Sequence, residues 1–272
     1  MDNNSSNVTG KSLIRAGWNT LSADRELLAL PLLGSLFAIL TAVPFALAYI
    51  LIPADTGLFQ YIPVVAMIII YNFMIVLFAV ALAAGASKRM NGEDPTVRST
   101  LSCAWTRRSA IMQWALLTTS VTLLLRLIEQ RFPVAGRVFS ALGSLTWVIA
   151  SYFVIPVIAV EKGSGIDALK SSARVIEQRW GKALRFNLRV LIYKLAIVVI
   201  TAALVIASLI NIESNTSLAF ILGASAIIFL IFTAFLLSAV SAVARVALYR
   251  YAVGLPVPGF EPKILDRAVK LD

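Results

Sequence analysis

Six apolar stretches recur along the chain, each bounded by polar residues: Leu27–Ile52, Ile62–Ala86, Ile111–Ile128, Val138–Val160, Leu188–Ile210 and Leu218–Val243. Each is about the 17–25 residues that a helix needs to cross roughly 30 Å of hydrocarbon. The polar stretches between them alternate in kind. Short ones hold turn formers, as in Pro53-Ala54-Asp55-Thr56-Gly57. Long ones are charged and carry apolar residues at helical spacing. The pattern predicts an all-α fold, a polytopic membrane bundle of six transmembrane helices with amphipathic cytoplasmic helices. Its hydropathy order suggests three helix-pair repeats, Lys11–Ala86, Ser87–Val160 and Glu161–Val243. Residues 1–254 are expected to form the membrane domain and 255–272 a short cytoplasmic tail.

The three amphipathic segments differ in clarity. The third places Ile166, Leu169, Ala173, Ile176 and Trp180 on one face, with Asp167, Lys170, Arg174, Glu177 and Gln178 largely opposite. A helix of this kind lies in the headgroup layer, so Lys170, Arg174, Arg179, Trp180 and Lys182 are the expected lipid-interface residues. The second opens with Asp94-Pro95, read as an N-cap followed by proline at the first helical position, and continues with the stripe Val97, Leu101 and Trp105. The first offers Ile14, Trp18 and Leu21 against Arg15, Asn19 and Ser22. Packing beneath the bundle and contact with lipid are both open to these helices. In the tail, Gly254-Leu255-Pro256-Val257-Pro258-Gly259-Phe260 stops the sixth helix. Ile264, Leu265 and Ala268 then share a face that could dock under the bundle or bind a partner, and the brevity of the segment favours docking or disorder.

Composition sharpens the picture. Mean hydropathy is +0.86, and 59% of residues are hydrophobic, above the roughly 45–50% of soluble domains. The net charge of +10 would suggest nucleic acid, but its distribution points to a membrane. Among the 24 Lys and Arg, Arg126, Arg131 and Arg137 surround the loop between runs three and four, and Lys194 lies inside run five; all the others fall on one side. The positive-inside rule makes that side the cytoplasm and places both termini there, in a multi-pass protein of the cytoplasmic membrane. The polar first twenty residues do not form a cleavable signal peptide, so run one is expected to act as a retained signal anchor. Asp2 excludes myristoylation. Asn215-Thr216-Ser217 matches a glycosylation acceptor, but its short loop reads better as a plain turn.

The available chemistry is narrow. The chain has no histidine and only one cysteine, Cys103. That removes His-dependent zinc sites, Ser-His-Asp triads, internal disulfides and Cys₄ metal sites. Gly163-Ser164-Gly165 lacks the spacing of a nucleophile elbow, and with Gly163 and Gly165 it reads as a tight reversal before the third amphipathic helix. No Asp or Glu falls in the middle of a run, which leaves ion-coupled transport little to work with. Arg126 and Glu129 suggest an i,i+3 pair. Asn72, Gln113 and Ser151 form the expected polar path if one exists, although packing is the commoner use of such residues. Ala81 with Gly85, and Ala234 with Ser238 and Ala242, read as small-residue ridges for close helix approach. No cofactor, metal or catalytic residue is expected.

One stretch carries a resemblance. Pro156-Val157-Ile158-Ala159-Val160-Glu161, Gly163, Ala168-Leu169, Ser171-Ser172 and Trp180-Gly181 resemble a pattern in uncharacterised bacterial six-helix integral membrane proteins. The pattern is also similar to the membrane domain attached to some glycerophosphodiester phosphodiesterases. The resemblance implies a six-helix scaffold. It does not imply phosphodiesterase activity, which belongs to a separate soluble domain using histidines and a metal. On the residues alone, Pro156 bends the exit of run four, and Glu161 accepts from the following helix or pairs with Lys162 or Arg185. The leading functional expectation is a non-enzymatic scaffold. Its expected partners are the lipid bilayer, anionic headgroups on the cytoplasmic side and a membrane-protein partner, but not nucleic acid. The alternative is a small transporter or channel for a lipid or small solute. A membrane-embedded lipid enzyme comes third.

Overall fold

A computed structural model describes residues 15–22, 24–53, 57, 59, 61–132, 135–161, 163–179, 185–262 and 265–266, with backbone alone for residues 25, 135–138, 179 and 185–194. The described chain is helical throughout its long elements. The described part of α1 covers 15–22. It is followed by α2 (Arg25–Leu51), α3 (Ile62–Met90), α4 (Val97–Thr106), α5 (Arg108–Arg131) and α6 (Ala135–Ala150). Then come α7 (Val154–Val160), α8 (Gly165–Arg179), α9 (Arg185–Ile210) and α10 (Thr216–Ala252). Among the described residues, five stretches are long and apolar enough to cross a membrane: Glu26–Leu51, Ile62–Met90, Arg108–Arg131, Phe139–Val160 and Thr216–Ala252. The fifth predicted run lies in α9, whose described apolar stretch is the shorter Leu195–Ile210.

Prolines and polar caps set the element boundaries. Pro63 sits in the first turn of α3, where its missing N–H has no intrahelical partner to lose. Pro31 and Pro44 are accommodated inside α2. The fourth run is broken, because Pro156 has no N–H to give the Tyr152 carbonyl and its ring crowds that carbonyl. The helix therefore breaks over 151–153 and restarts as α7. The second amphipathic helix starts later than Asp94-Pro95 predicts. Thr96 is the N-cap and forms a reciprocal box with Ser99, while Asp94 is held in an ion pair by Arg89 at 3.2 Å. Asn215 caps α10 by accepting from the Leu218 N–H at 3.0 Å.

Helices pair as hairpins, α2 with α3, α5 with α6 and α9 with α10. The dense core lies at one end of the bundle. It contains Leu27 and Leu30 of α2, Phe73 to Met90 of α3, Ile111 and Trp114 of α5, α7, and Val240 to Tyr249 of α10. Away from it the helices expose large apolar side chains, such as Ile50, Ile62, Leu127, Phe139, Ile210 and Phe220. Closely approaching glycines knit the packed end. A Cβ on Gly34 would stand 2.7 Å from Phe78 Cβ, and one on Gly85 would stand 2.4 Å from Leu27 Cδ2. The Ala81–Gly85 ridge therefore packs as its spacing predicts. The Ala234–Ser238–Ala242 ridge does not: Ala234 and Ser238 are exposed, and α10 buries Ala239, Val243, Val246 and Ala247 instead.

The N-terminus of α2 belongs to this packed end. Asp24 caps α2 by accepting from the Glu26 N–H at 3.2 Å. Glu26 in turn accepts from the Val97 N–H at 2.6 Å and so holds the start of α4. Asp24 Oδ2 is buried with no hydrogen-bond partner among the described residues. Burial raises its carboxyl above the ordinary 3.8, against the opposing pull of the Glu26 N–H and Arg89. A folded-state pKa above the unfolded one favours the protonated form, so stability falls as pH rises from the unfolded value through the folded one. Asp24→Asn keeps the capping oxygen and cannot ionise. The unfolding midpoint of Asp24→Asn minus that of the native protein is expected to increase with pH across this window. A difference that is flat with pH would show that the carboxylate carries no burial cost.

Candidate functional site

The three amphipathic helices dock through small residues. In α1, Gly17 and Leu21 are buried, and a Cβ on Gly17 would lie 3.2 Å from the Val240 carbonyl. In α4 the buried positions are Thr100 and Ala104. In α8 they are Gly165, Ala168 and Ser172. The predicted stripes pack in part: Leu21 is buried, and Val97, Leu101, Leu169 and Ile176 lie against the core, but one large apolar residue of each stripe is turned aside. Trp18, Trp105 and Ile166 are 40%, 53% and 50% exposed, so each buried face is shifted toward the small residues beside the predicted stripe. Close packing selects the flattest face of each short helix.

The α8 interface buries one polar side chain among small and apolar residues, and its hydroxyl is fully bonded. Ser172, 0% exposed, donates to the Ala150 carbonyl at 2.6 Å and accepts from the Phe153 N–H at 3.0 Å. One hydroxyl thus bridges the break between α6 and α7. Ser164 and Asp167 cap α8 reciprocally: Asp167 Oδ2 accepts from the Ser164 N–H and hydroxyl, and Ser164 Oγ accepts from the Asp167 N–H. The Ser164 hydroxyl, then its N–H, hold the Asp167 carboxyl below its ordinary value. The chain bends at Gly163 before α8, but Gly163 and Gly165 are not among the residues with positive φ, so the turn does not draw on glycine's left-handed freedom. Gly165 serves close approach, since a Cβ there would stand 2.6 Å from the Ala110 carbonyl of α5.

The expected polar-path residues engage three different partners. Asn72 Nδ2 donates to the Ala115 carbonyl and to the hydroxyls of Thr118 and Thr119, tying α3 to α5. Gln113 Oε1 accepts from the Gly165 N–H at 3.1 Å, at the start of α8. Ser151 makes a long contact to its own helix, at Val148. Of the expected lipid-interface residues, Lys170 and Arg174 are exposed on α8 and the Arg179 side chain lies outside the described residues, as do Trp180 and Lys182. Ile14, Ile264, Ala268 and the Lys194 side chain also lie outside them. Arg126 and Glu129 are both exposed and form no ion pair; exposed side chains gain little by pairing. Glu161 accepts from the Tyr249 hydroxyl of α10, while Lys162 and the Arg185 side chain lie outside the described residues.

The sequence reading gave no special place to Arg250. It lies in the last turn of α10 and is 3% exposed. Its Nε donates to the Pro256 carbonyl at 3.1 Å. Nη1 donates to the Ser87 carbonyl and hydroxyl at 3.2 and 2.7 Å, and Nη2 to Asn91 Oδ1 and the Pro256 carbonyl at 2.7 and 2.9 Å. All five N–H donors of the guanidinium are therefore engaged, and every acceptor is uncharged. This cation ties α3, α10 and the tail together. Gly254 and Gly259, with φ of 79° and 85°, turn the chain back so that Phe260 and Leu265 are buried under the bundle. Beside Arg250 is a half-open cavity of about 320 Å³, whose lining includes Ser87, Lys88, Asn91, Cys103, Arg107 and Pro256. Arg107 crosses from the α4–α5 junction to donate to the Ile158 carbonyl. Arg250 had a sequence signal: it continues the spacing of Ala239, Val243 and Val246 along one buried face.

Residues 59–257 match DUF6159, a family of unknown function, and the chain belongs to that family. The match covers the whole cavity lining and carries no link to the membrane domains of glycerophosphodiester phosphodiesterases. No curated protein and no solved structure matches the chain.

Proposed function

We propose that this member of DUF6159 is a non-enzymatic multi-pass protein of the bacterial cytoplasmic membrane. In this reading it crosses six times with both termini inside and acts as a scaffold that gathers anionic lipid at its cytoplasmic face. The observation that carries the reading is the docking of the short helices. Each buries small residues and leaves a large apolar side chain outward, Trp18, Trp105 or Ile166, at the packed and basic end. An exposed tryptophan or isoleucine beside Lys and Arg suits the headgroup layer. The remaining span, fifth in chain order, is α9, whose 26 residues extend about 39 Å at 1.5 Å per residue. The hairpins α2–α3, α5–α6 and α9–α10, each preceded by α1, α4 or α8, support the threefold layout. A transport path through Asn72, Gln113 and Ser151 has less support, since each of these residues serves a different contact.

Two measurements test this. A C-terminal green fluorescent protein fusion is expected to fluoresce and a C-terminal alkaline phosphatase fusion to be inactive; the reverse pattern would invert the topology. Changing Lys170, Arg174, Arg179 and Lys182 together to Gln is expected to reduce retention of phosphatidylglycerol by the purified protein. Each basic residue at an anionic surface contributes about 1 kcal/mol at low salt. Retention that ignores both the substitutions and the salt concentration would assign α8 to packing alone.

A further inference from the structure

We propose that the half-open cavity at the basic end binds a phosphate group, gripped by Lys88 and Arg107 above the fixed charge of Arg250. The inference deepens the scaffold reading, and rests on it for the setting in an anionic membrane.

Charge is the first argument. Lys88, Arg107 and Arg250 line the cavity, and its lining contains no carboxylate. Of the acids nearby, Glu161 is committed to Tyr249 and Asp94 to Arg89, and Glu93 makes a long contact with the Asn91 amide, at 3.5 Å. Three cations converging on a partly desolvated hollow focus a positive field, which recruits anions. The division of donors is the second argument. Arg250 supplies charge but no contact, because its N–H groups all face protein oxygens. One donor of Arg107 is committed to Ile158, and its others have no acceptor among the described residues. The half-buried Lys88 ammonium likewise has none among them. An ammonium and a guanidinium side by side suit the several oxygens of a phosphate.

Size and depth agree with this. A cavity of about 320 Å³ is at the small end of ligand pockets, which run from about 300 to 1,000 Å³. Lys88 stands about 39 Å along α3 from Ile62 at 1.5 Å per residue, beyond the roughly 30 Å of hydrocarbon. A tilted α3 therefore brings the cavity mouth to the phosphate layer. The shared chemistry is the phosphate, whether carried by a lipid headgroup or by a soluble ester.

Cys103, the single cysteine, lines the cavity and reports on it. The full chain is placed in nanodiscs of phosphatidylcholine and labelled with an anionic or a cationic methanethiosulfonate, each rate being divided by that with a free thiol. The anionic reagent is expected to react at least about tenfold faster. Adding inorganic phosphate, or replacing phosphatidylcholine by phosphatidylglycerol, is expected to slow labelling. Protection by phosphatidylglycerol without added phosphate assigns the headgroup, and protection by phosphate alone assigns a soluble ester. Lys88→Gln with Arg107→Gln should remove both the charge preference and the protection. Lys88→Gln alone, which breaks no described contact, serves if the double variant does not fold. An anionic reagent that is no faster, labelling that neither addition slows, or protection that survives Lys88→Gln would overturn the proposal. Native mass spectrometry separates the two failures. Phosphatidylglycerol retained on a protein whose Cys103 stays unprotected removes only the cavity, whereas no retained anionic lipid removes the scaffold reading as well.

Discussion

Arg250→Ala is expected to destabilise the protein by about 3–5 kcal/mol, a large fraction of an ordinary stability. The substitution strands the Ser87 carbonyl and hydroxyl, Asn91 Oδ1 and the Pro256 carbonyl around an emptied site. Bonds from a charged donor contribute about 1.5–3 kcal/mol each, and every buried acceptor left bare costs about 1–3 kcal/mol. The sum overshoots because relaxation and entering water recover part of it, so the lower range is the expected one. Arg250→Lys should restore less than half, since a compact ammonium cannot reach Ser87, Asn91 and Pro256 in the fork geometry of a guanidinium. Intrinsic tryptophan fluorescence provides the measurement, because Trp114 is buried in the packed end and stacks on Trp147. Midpoints in detergent should fall by roughly 10 °C for the alanine variant. A midpoint within a degree or two of the native protein would mean that Arg250 is incidental to the junction of α3, α10 and the tail.

Hydropathy made most of the long helices legible, because each must satisfy its backbone internally and present apolar side chains outward. The break in the fourth run was partly legible, since Pro156 marks it. The faces of the short helices were legible in part: Leu21, Leu101, Leu169 and Ile176 pack inward as their spacing predicts, while one large apolar residue of each stripe does not. Periodicity weights the largest apolar residues, and so it selected Trp18, Trp105 and Ile166. The docked faces are instead chosen by how closely two backbones can approach, which favours Gly17, Ala104 and Gly165. Pairings distant in sequence, such as Tyr249 with Glu161 or Arg250 with Ser87, leave no local trace. Asn72 was legible as a packing residue but not as the donor to three atoms of α5. Of the cavity, the basic residues were visible one by one as orientation signals. Only the fold brings Lys88, Arg107 and Arg250 to one hollow.

Gly163 and Gly165 offer a sharper test of that packing argument, since they look equivalent in the sequence. A Cβ on Gly165 would stand 2.6 Å from the Ala110 carbonyl and 2.8 Å from the Trp114 N, both backbone atoms of α5. No rotamer change relieves such a contact, so α8 must move away from α5. The Gln113 bond to the Gly165 N–H would stretch with it. On the same face of α8, Ser172 would be drawn from Ala150 and Phe153 at the break between α6 and α7. Gly165→Ala is therefore expected to cost about 1–3 kcal/mol, the usual range for overpacking. A Cβ on Gly163 would meet Asp167 Cβ at an ordinary 3.6 Å, and its φ is not positive, so Gly163→Ala should fall within about 0.5 kcal/mol of native. Ser172→Val provides the second arm: it removes the buried hydroxyl that accepts from the Phe153 N–H and donates to the Ala150 carbonyl, at about 1–3 kcal/mol. If Gly165 and Ser172 act through one docked helix, the cost of Gly165→Ala combined with Ser172→Val falls short of the sum of the two. Equal losses for Gly163→Ala and Gly165→Ala would show instead that the loop's flexibility, and not the approach of α8 to α5, is what these glycines provide.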